Sequence, residues 1–177
     1  MEKIEQSVVC FEDGSKEQVD DIILCTGYLY SFPFLSNKCK IVVDDNYIKG
    51  LFKECLCIEY PTLMFLGLPG QVCPIPTSEV QMRFFMSLMK GNFRLPCKED
   101  MWEEDNYRRQ AKNCTNRQFH KKGAKNERIY WDELAMTASV NTVPYVITKL
   151  HEWIVSNKRN ITQSFRIVND EEFERIA

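Results

Sequence analysis

Asp21-Ile22-Ile23-Leu24-Cys25-Thr26-Gly27-Tyr28, followed closely by Ser31-Phe32-Pro33-Phe34-Leu35, is the stretch on which the fold turns. Residues 21–25 form a short apolar run, the pattern of a strand buried on both faces. It stops at a small residue and a glycine, Thr26 and Gly27, where backbone can come close to a ligand. Pro33 holds Phe32 extended, so an aromatic loop follows. In open α/β sheets, ligands sit off the carboxyl ends of strands, which makes Thr26 and Gly27 candidate binding positions.

Upstream, Ser7-Val8-Val9-Cys10-Phe11 is strand-like, Glu12-Asp13-Gly14-Ser15 is a turn signal, and a return strand begins over residues 17–19. Downstream, Lys40-Ile41-Val42-Val43 is a short strand candidate. Thr62-Leu63-Met64-Phe65-Leu66-Gly67 is a second buried strand, leading into a proline-rich loop over residues 68–76. A helix is predicted from Pro76 or Thr77 to residue 90. Val80, Phe84 and Leu88 recur every four residues, Phe85 and Met89 widen the stripe, and Gly91 is the stop. The loop offers free amides and the helix start a positive dipole end, a setting for an electron-rich oxygen.

Residues 98–128 are strongly charged and read as a solvated helix over about 99–118, then a loop around Gly123. A short helix follows over 129–135. The last helix starts with Pro144 at its first position and buries Val146, Leu150 and Trp153. Residues 158–177 are a mixed tail. Short strands followed by helices are expected, and the fold class expected is α/β.

Composition excludes much else. With 177 residues, 44% hydrophobic, 27% charged and 12% aromatic, the chain can build a core and is neither disordered nor fibrous. Its net charge of −2 gives no broad reason to bind nucleic acid or anionic membrane. No apolar run approaches a membrane span, and the first residues are no secretory signal. The eight cysteines read as reduced thiols, those in apolar runs (Cys10, Cys25) as small hydrophobes. Cys55-Leu56-Cys57 is the only close pair, and no second pair or His lies at zinc spacing, so no metal site is assigned. His120, in a basic run, is expected at the surface, and His151 has no partner at nucleophile or metal spacing. Gln81 reads as a solvated helix residue, Glu79 and Arg83 as a helix-face ion pair, and Met82, Met86 and Met89 as core filler. No Ser/His/Asp or Cys/His constellation stands out, so no catalytic residue is named.

Several motifs taken in order resemble the flavin-containing monooxygenase family. Residues 21–28 with 31–35 look like its "ATGY…FPFL" segment, Cys25 standing where the family usually has Ala. Pro61-Thr62-Leu63-Met64-Phe65-Leu66-Gly67-Leu68 looks like its "PTLAFIGL" strand. Pro76, Glu79, Gln81 and Arg83 match its "P-x-x-E-x-Q-x-R" helix start. Lys90-Gly91, Leu95-Pro96 and the Tyr130, Glu133, Leu134, Ala135 segment continue the likeness, which spans about residues 20–154.

The resemblance implies the C-terminal part of a two-dinucleotide (FAD and NADPH) flavoprotein. Residues 1–157 would belong to the FAD/NAD(P)-binding domain and 158–177 would be a tail. It implies oxygenation of nucleophilic nitrogen or sulfur on a small amine or sulfide, using FAD, NADPH and O₂, of the N,N-dimethylaniline monooxygenase type. The implied cofactor-binding residues are Thr26, Gly27, Pro69, Gly70, Gln71, Val72 and Thr77, with the 69–72 loop along the flavin ring and the helix start at its pyrimidine edge. Gln71 could equally satisfy the loop backbone alone. The family's glycine fingerprints are absent: Gly14, Gly27, Gly50, Gly67, Gly70, Gly91 and Gly123 form no G-x-G-x-x-G. The chain alone is therefore expected to be inactive, its fold completed by a missing N-terminal half. The implied location is cytoplasmic or associated with the endoplasmic reticulum. The alternative is a non-catalytic homologue or interaction protein that does not bind FAD by itself. A flavoprotein reductase has less support, since no C-x-x-C is present.

Overall fold

The computed structural model describes residues 3–5, 7–157 and 163–176. The chain opens with a three-stranded antiparallel sheet of β1 (Lys3–Glu5), β2 (Val8–Cys10) and β3 (Lys16–Gln18). The β2–β3 turn is the one read from sequence. Gly14 takes φ 84°, and the Asp13 carboxylate accepts from the amide and hydroxyl of Ser15.

Two hairpins follow, β4 (Val42–Asp44) with β5 (Tyr47–Lys49), and β6 (Leu51–Phe52) with β7 (Leu56–Cys57). Asp45 and Asn46 both have positive φ between β4 and β5, the two-residue turn that matches strand twist. Four helices complete the body: α1 (Pro74–Met89), α2 (Lys98–Ala111), α3 (Gly123–Ala138) and α4 (Tyr145–Ser156). A last hairpin, β8 (Ser164–Ile167) with β9 (Phe173–Ile176), docks on α4. Phe165 meets Trp153 with ring centroids 4.8 Å apart, and the Val146 amide donates to the Asp170 carbonyl.

One core lies between α1 and α3: Val80 and Phe84 face Tyr130, Trp131, Leu134, Ala135 and Ala138, with Phe52, Leu56, Ile58 and Met101 beneath. A second joins Ile48, Leu51, Cys57, Phe65 and Leu68, against which Tyr30, Phe32 and Leu35 pack. Cys55 and Cys57 fall into different cores, so the C-x-C pair does not converge.

Several expectations are corrected. Residues 21–25 are an irregular surface segment with Ile22, Ile23, Leu24 and Cys25 exposed. A strand buried on both faces needs neighbours on either side, and none of the described strands pairs with this run. Residues 62–67 likewise form only one bridge, Met64 to Leu56. Helix α1 starts earlier than read, because Pro74 and Pro76 fit a first turn where no N–H is needed.

Helix α2 stops at Ala111, and Thr115 opens a new short turn (Asn116–Gln118) with a reciprocal capping box to Gln118. Gly123 begins α3 instead of a loop, and Pro144 caps α4 from just outside it. Met82, Met86 and Met89 lie on the open side of α1. Gly91 does end α1, with φ 73° and its amide on the Leu88 carbonyl.

Candidate functional site

The two segments singled out in the sequence meet through aromatic side chains. The Tyr30 hydroxyl donates to the Leu68 carbonyl at 2.8 Å, and Phe32 sits edge-on to Phe65 at 5.0 Å. Asn46 pins the chain between them, accepting from the Tyr30 amide and donating to the Tyr28 carbonyl, both at 2.8 Å. Thr26 and Gly27 lie just upstream and are exposed, as is Tyr28 at 97%. Gly27 holds φ 82°, a conformation that favours glycine.

The loop 68–72 is anchored on its inner side. Leu68 and Pro69 are buried. Gly70 bridges a neighbouring segment, its amide donating to the His120 carbonyl and its own carbonyl accepting from Lys122; the Gln71 carbonyl accepts from Gly123. Gln71, at φ 56°, turns outward, its side-chain amide bonded to none of the described residues. It edges an open cleft of about 420 Å³ shared with Lys112, Asn113, Gln118, Lys121 and Asn126.

That anchoring rests on a buried charge cluster. Glu54 is 2% exposed and receives Lys122 at 2.7 Å, Lys112 at 3.3 Å and His120 Nδ1 at 3.1 Å. The Ile48 amide donates to His120 Nε2, so Nδ1 carries the hydrogen shared with Glu54. Burial alone would raise the Glu54 pKa, but His120 and the two lysines outweigh it and hold the carboxyl well below its ordinary range. His120, expected at the surface, is 4% exposed: the basic run around it folds inward onto Glu54.

Gln81, read as solvated, is fully buried. Its carbonyl oxygen accepts from the Gly67 amide at 3.0 Å, and its Nε2 donates to the Tyr130 hydroxyl, which donates on to the Lys53 carbonyl. This chain ties the Gly67 turn to α1, α3 and the β6–β7 turn. The expected Glu79–Arg83 ion pair is present at 2.6 Å.

At the start of α1, Thr77 is fully buried. Its hydroxyl accepts from Trp131 Nε1 at 3.0 Å and faces Glu127 Oε1 at 3.4 Å. Glu127, from α3, also accepts the Cys73 amide, and its other oxygen meets His151 Nδ1 at 2.6 Å. His151 therefore has a partner that sequence spacing could not show. Pro74 and Pro76 carry no amide hydrogen, so Ile75 is left as the first-turn amide without an acceptor among the described residues.

The chain matches the Flavin-binding monooxygenase-like family over residues 1–153. It belongs to that family. Flavin-containing monooxygenase FMO GS-OX-like 4 of Arabidopsis thaliana is 40% identical over 101 residues, 56% of this chain and 22% of the relative. Its GS-OX-like 7 counterpart is 39% identical over 98 residues, 55% and 21% of the two chains. The chain thus spans about a fifth of the length of these relatives.

Among solved structures, S-allyl-L-cysteine S-oxygenase from Allium sativum superposes with a TM-score of 0.77 and 31% identity, covering 88% of this chain and 36% of that one. Tmm from Pelagibacter sp. strain HTCC7211 shares the fold at a TM-score of 0.71 and 23% identity, covering 90% and 36%. The α/β flavoprotein class read from the sequence motifs is therefore the fold of the chain, although its described strands pair only as antiparallel hairpins. Family members are flavin monooxygenases. Among the described residues no helix is long and apolar enough to cross a membrane.

The residues present fit part of a flavin. The outward face of the 69–72 loop and the Ile75 amide suit the polar edge of a ring, and Tyr28 and Leu29 add exposed apolar surface. A pyrophosphate cradle is not among them, since no glycine fingerprint is present.

Proposed function

We propose that the chain supplies the C-terminal region of a flavin-dependent monooxygenase that oxygenates a nucleophilic sulfur or nitrogen of a small molecule. The family match over residues 1–153 carries the proposal, and the S-oxygenase among the structural neighbours favours sulfur. When bound, FAD reduced by NADPH supplies the oxygen-activating chemistry. This chain's residues position and shield. Gly70, Gln71 and Val72 form the wall along the ring, Pro69 backs them from the buried side, and the Gln71 amide is free to hydrogen-bond the ring's polar edge. Thr26 and Gly27 line the approach from the FAD- and NADPH-binding region. Thr77 acts from behind, holding the start of α1 through Trp131 and Glu127. The pyrophosphates are held by groups outside these 177 residues, and the exposed run 21–29 is the face that those groups cover.

A second reading has its own observation. The absence of any G-x-G-x-x-G favours a non-catalytic homologue or interaction protein, whose region would not support oxygenation even beside an intact FAD-binding half. A chimera separates the two: this chain replaces the matching 36% of the Allium S-oxygenase. NADPH-dependent oxygenation of methyl p-tolyl sulfide, abolished when residues 69–72 are replaced by Gly-Ser-Gly-Ser, is expected. A folded, flavin-loaded chimera that oxidises NADPH no faster with sulfide or trimethylamine than without would overturn the monooxygenase proposal.

A further inference from the structure

Three metal-ligating groups from three elements converge behind the start of α1. Cys73 comes from the loop, Glu127 from α3 and His151 from α4, and one donor atom of each lies within 4.8 Å of the others. We propose that Cys73, Glu127 and His151 form a divalent transition-metal site, suited to zinc, with a fourth position open to water.

The first argument is charge. Glu54 and Glu127 are both buried carboxylates, but their surroundings differ. Glu54 is met by two lysines as well as a histidine. Glu127 is 0% exposed, and among the described residues its only basic partner is His151, which carries charge only when protonated. A buried carboxylate is costly unless paired or metal-bound. Here the permanent cation that Glu54 has is missing among the described residues, and the point where Glu127, His151 and the Cys73 thiol converge is where one would bind.

The second argument is donor chemistry. Thiolate, imidazole and carboxylate together form a mixed S, N, O set that zinc accepts, and three protein ligands with an open fourth position is the pattern of reactive zinc sites. Zinc bonds of about 2.0–2.3 Å place tetrahedral ligands about 3.3–3.8 Å apart. The present separations, from 2.6 Å for Glu127 to His151 up to at most 4.8 Å, bracket that spacing. A bound cation favours the thiolate of Cys73, and the thiol proton leaves to solvent on coordination.

The third argument is support and access. Glu127 is fixed by the Cys73 amide and the Thr77 hydroxyl, so the outer bonds that orient a ligand already exist. Cys73 and His151 are only partly buried, which leaves a route for the ion. The site depends on neither FAD nor the monooxygenase proposal.

The test uses the full chain, tag-free, reduced and stripped of metal. It is titrated with Co²⁺ while absorbance is followed, then with Zn²⁺ in competition. One equivalent should bind, with a thiolate-to-cobalt charge-transfer band and tetrahedral visible bands, both erased by Zn²⁺. Cys73→Ser should abolish the charge-transfer band, and His151→Gln should raise the zinc Kd at least about tenfold. Cys97→Ser should change nothing. Absence of saturable binding, or binding unaltered by both Cys73→Ser and His151→Gln, would overturn the site and leave Glu127–His151 an internal ion pair. If His151→Gln fails to fold by circular dichroism, Cys73→Ser decides alone, since the Cys73 thiol makes no hydrogen bond among the described residues.

Discussion

Glu54 sits at the inner end of a turn with its own backbone left-handed, φ 54°, and its carboxylate surrounded by Lys112, Lys122 and His120. Replacing it by Gln leaves two lysines without their counter-charge, and a loss of about 3–5 kcal/mol is expected in urea unfolding at pH 7. The pH dependence follows from the sign of the shift. The folded pKa lies below the unfolded value of about 4.3, so the contribution is fully present above that value and is lost as pH falls below it. The stability gap between wild type and Glu54→Gln should therefore narrow as pH falls below about 4; a gap that widens there would refute the assignment.

Gln81 is the second such residue. Gln81→Leu leaves the Gly67 amide without its acceptor, and about 1–3 kcal/mol should be lost. Neither role was legible in the sequence. Helical periodicity showed Gln81 beside an apolar stripe but not that Tyr130 and Gly67 converge on it. Nothing local linked Glu54 to Lys122, 68 residues away.

Elements were legible where their signal is local. Helix α1 shows its stripe, its prolines and its terminal glycine, and α4 its proline start. The β2–β3 turn is written in Asp13-Gly14-Ser15. What failed was the strand reading of residues 21–25 and 62–67, because an apolar run says that a segment is to be covered, not by what. The helices make a direct test. Phe84 is wholly buried between α1 and α3, and Phe84→Ala should cost about 3–5 kcal/mol. Met86, half a turn away on the open side, should tolerate Ala within about 0.5 kcal/mol in the isolated chain. Equal losses from the two, measured by urea unfolding, would mean that α1 packs in another rotation.

At the scale of the molecule, Ile22, Ile23, Leu24, Tyr28, Leu29 and Phe34 form an exposed apolar stretch upstream of the 69–72 loop, the stretch proposed above to be covered by the cofactor-binding region. Thiol labelling reads this directly. In the isolated chain Cys25 and Cys97 should alkylate quickly, while Cys55, buried and with its thiol pushed up to about 12, should react only on unfolding. In the chimera Cys25 alone should become protected.

The sequence motifs disclosed the family and the missing glycine fingerprints, but the site's inner wall, built from residues 120–123 and the Glu54 cluster, exists only in three dimensions. The most direct measurement is the flavin content of the purified chimera, read as the ratio of FAD to protein absorbance. One FAD per chimeric chain, with none retained by the isolated 177-residue chain, is expected. A folded chimera that holds less than about a tenth of an equivalent would contradict the assignment of residues 69–72 and the start of α1 to the flavin wall.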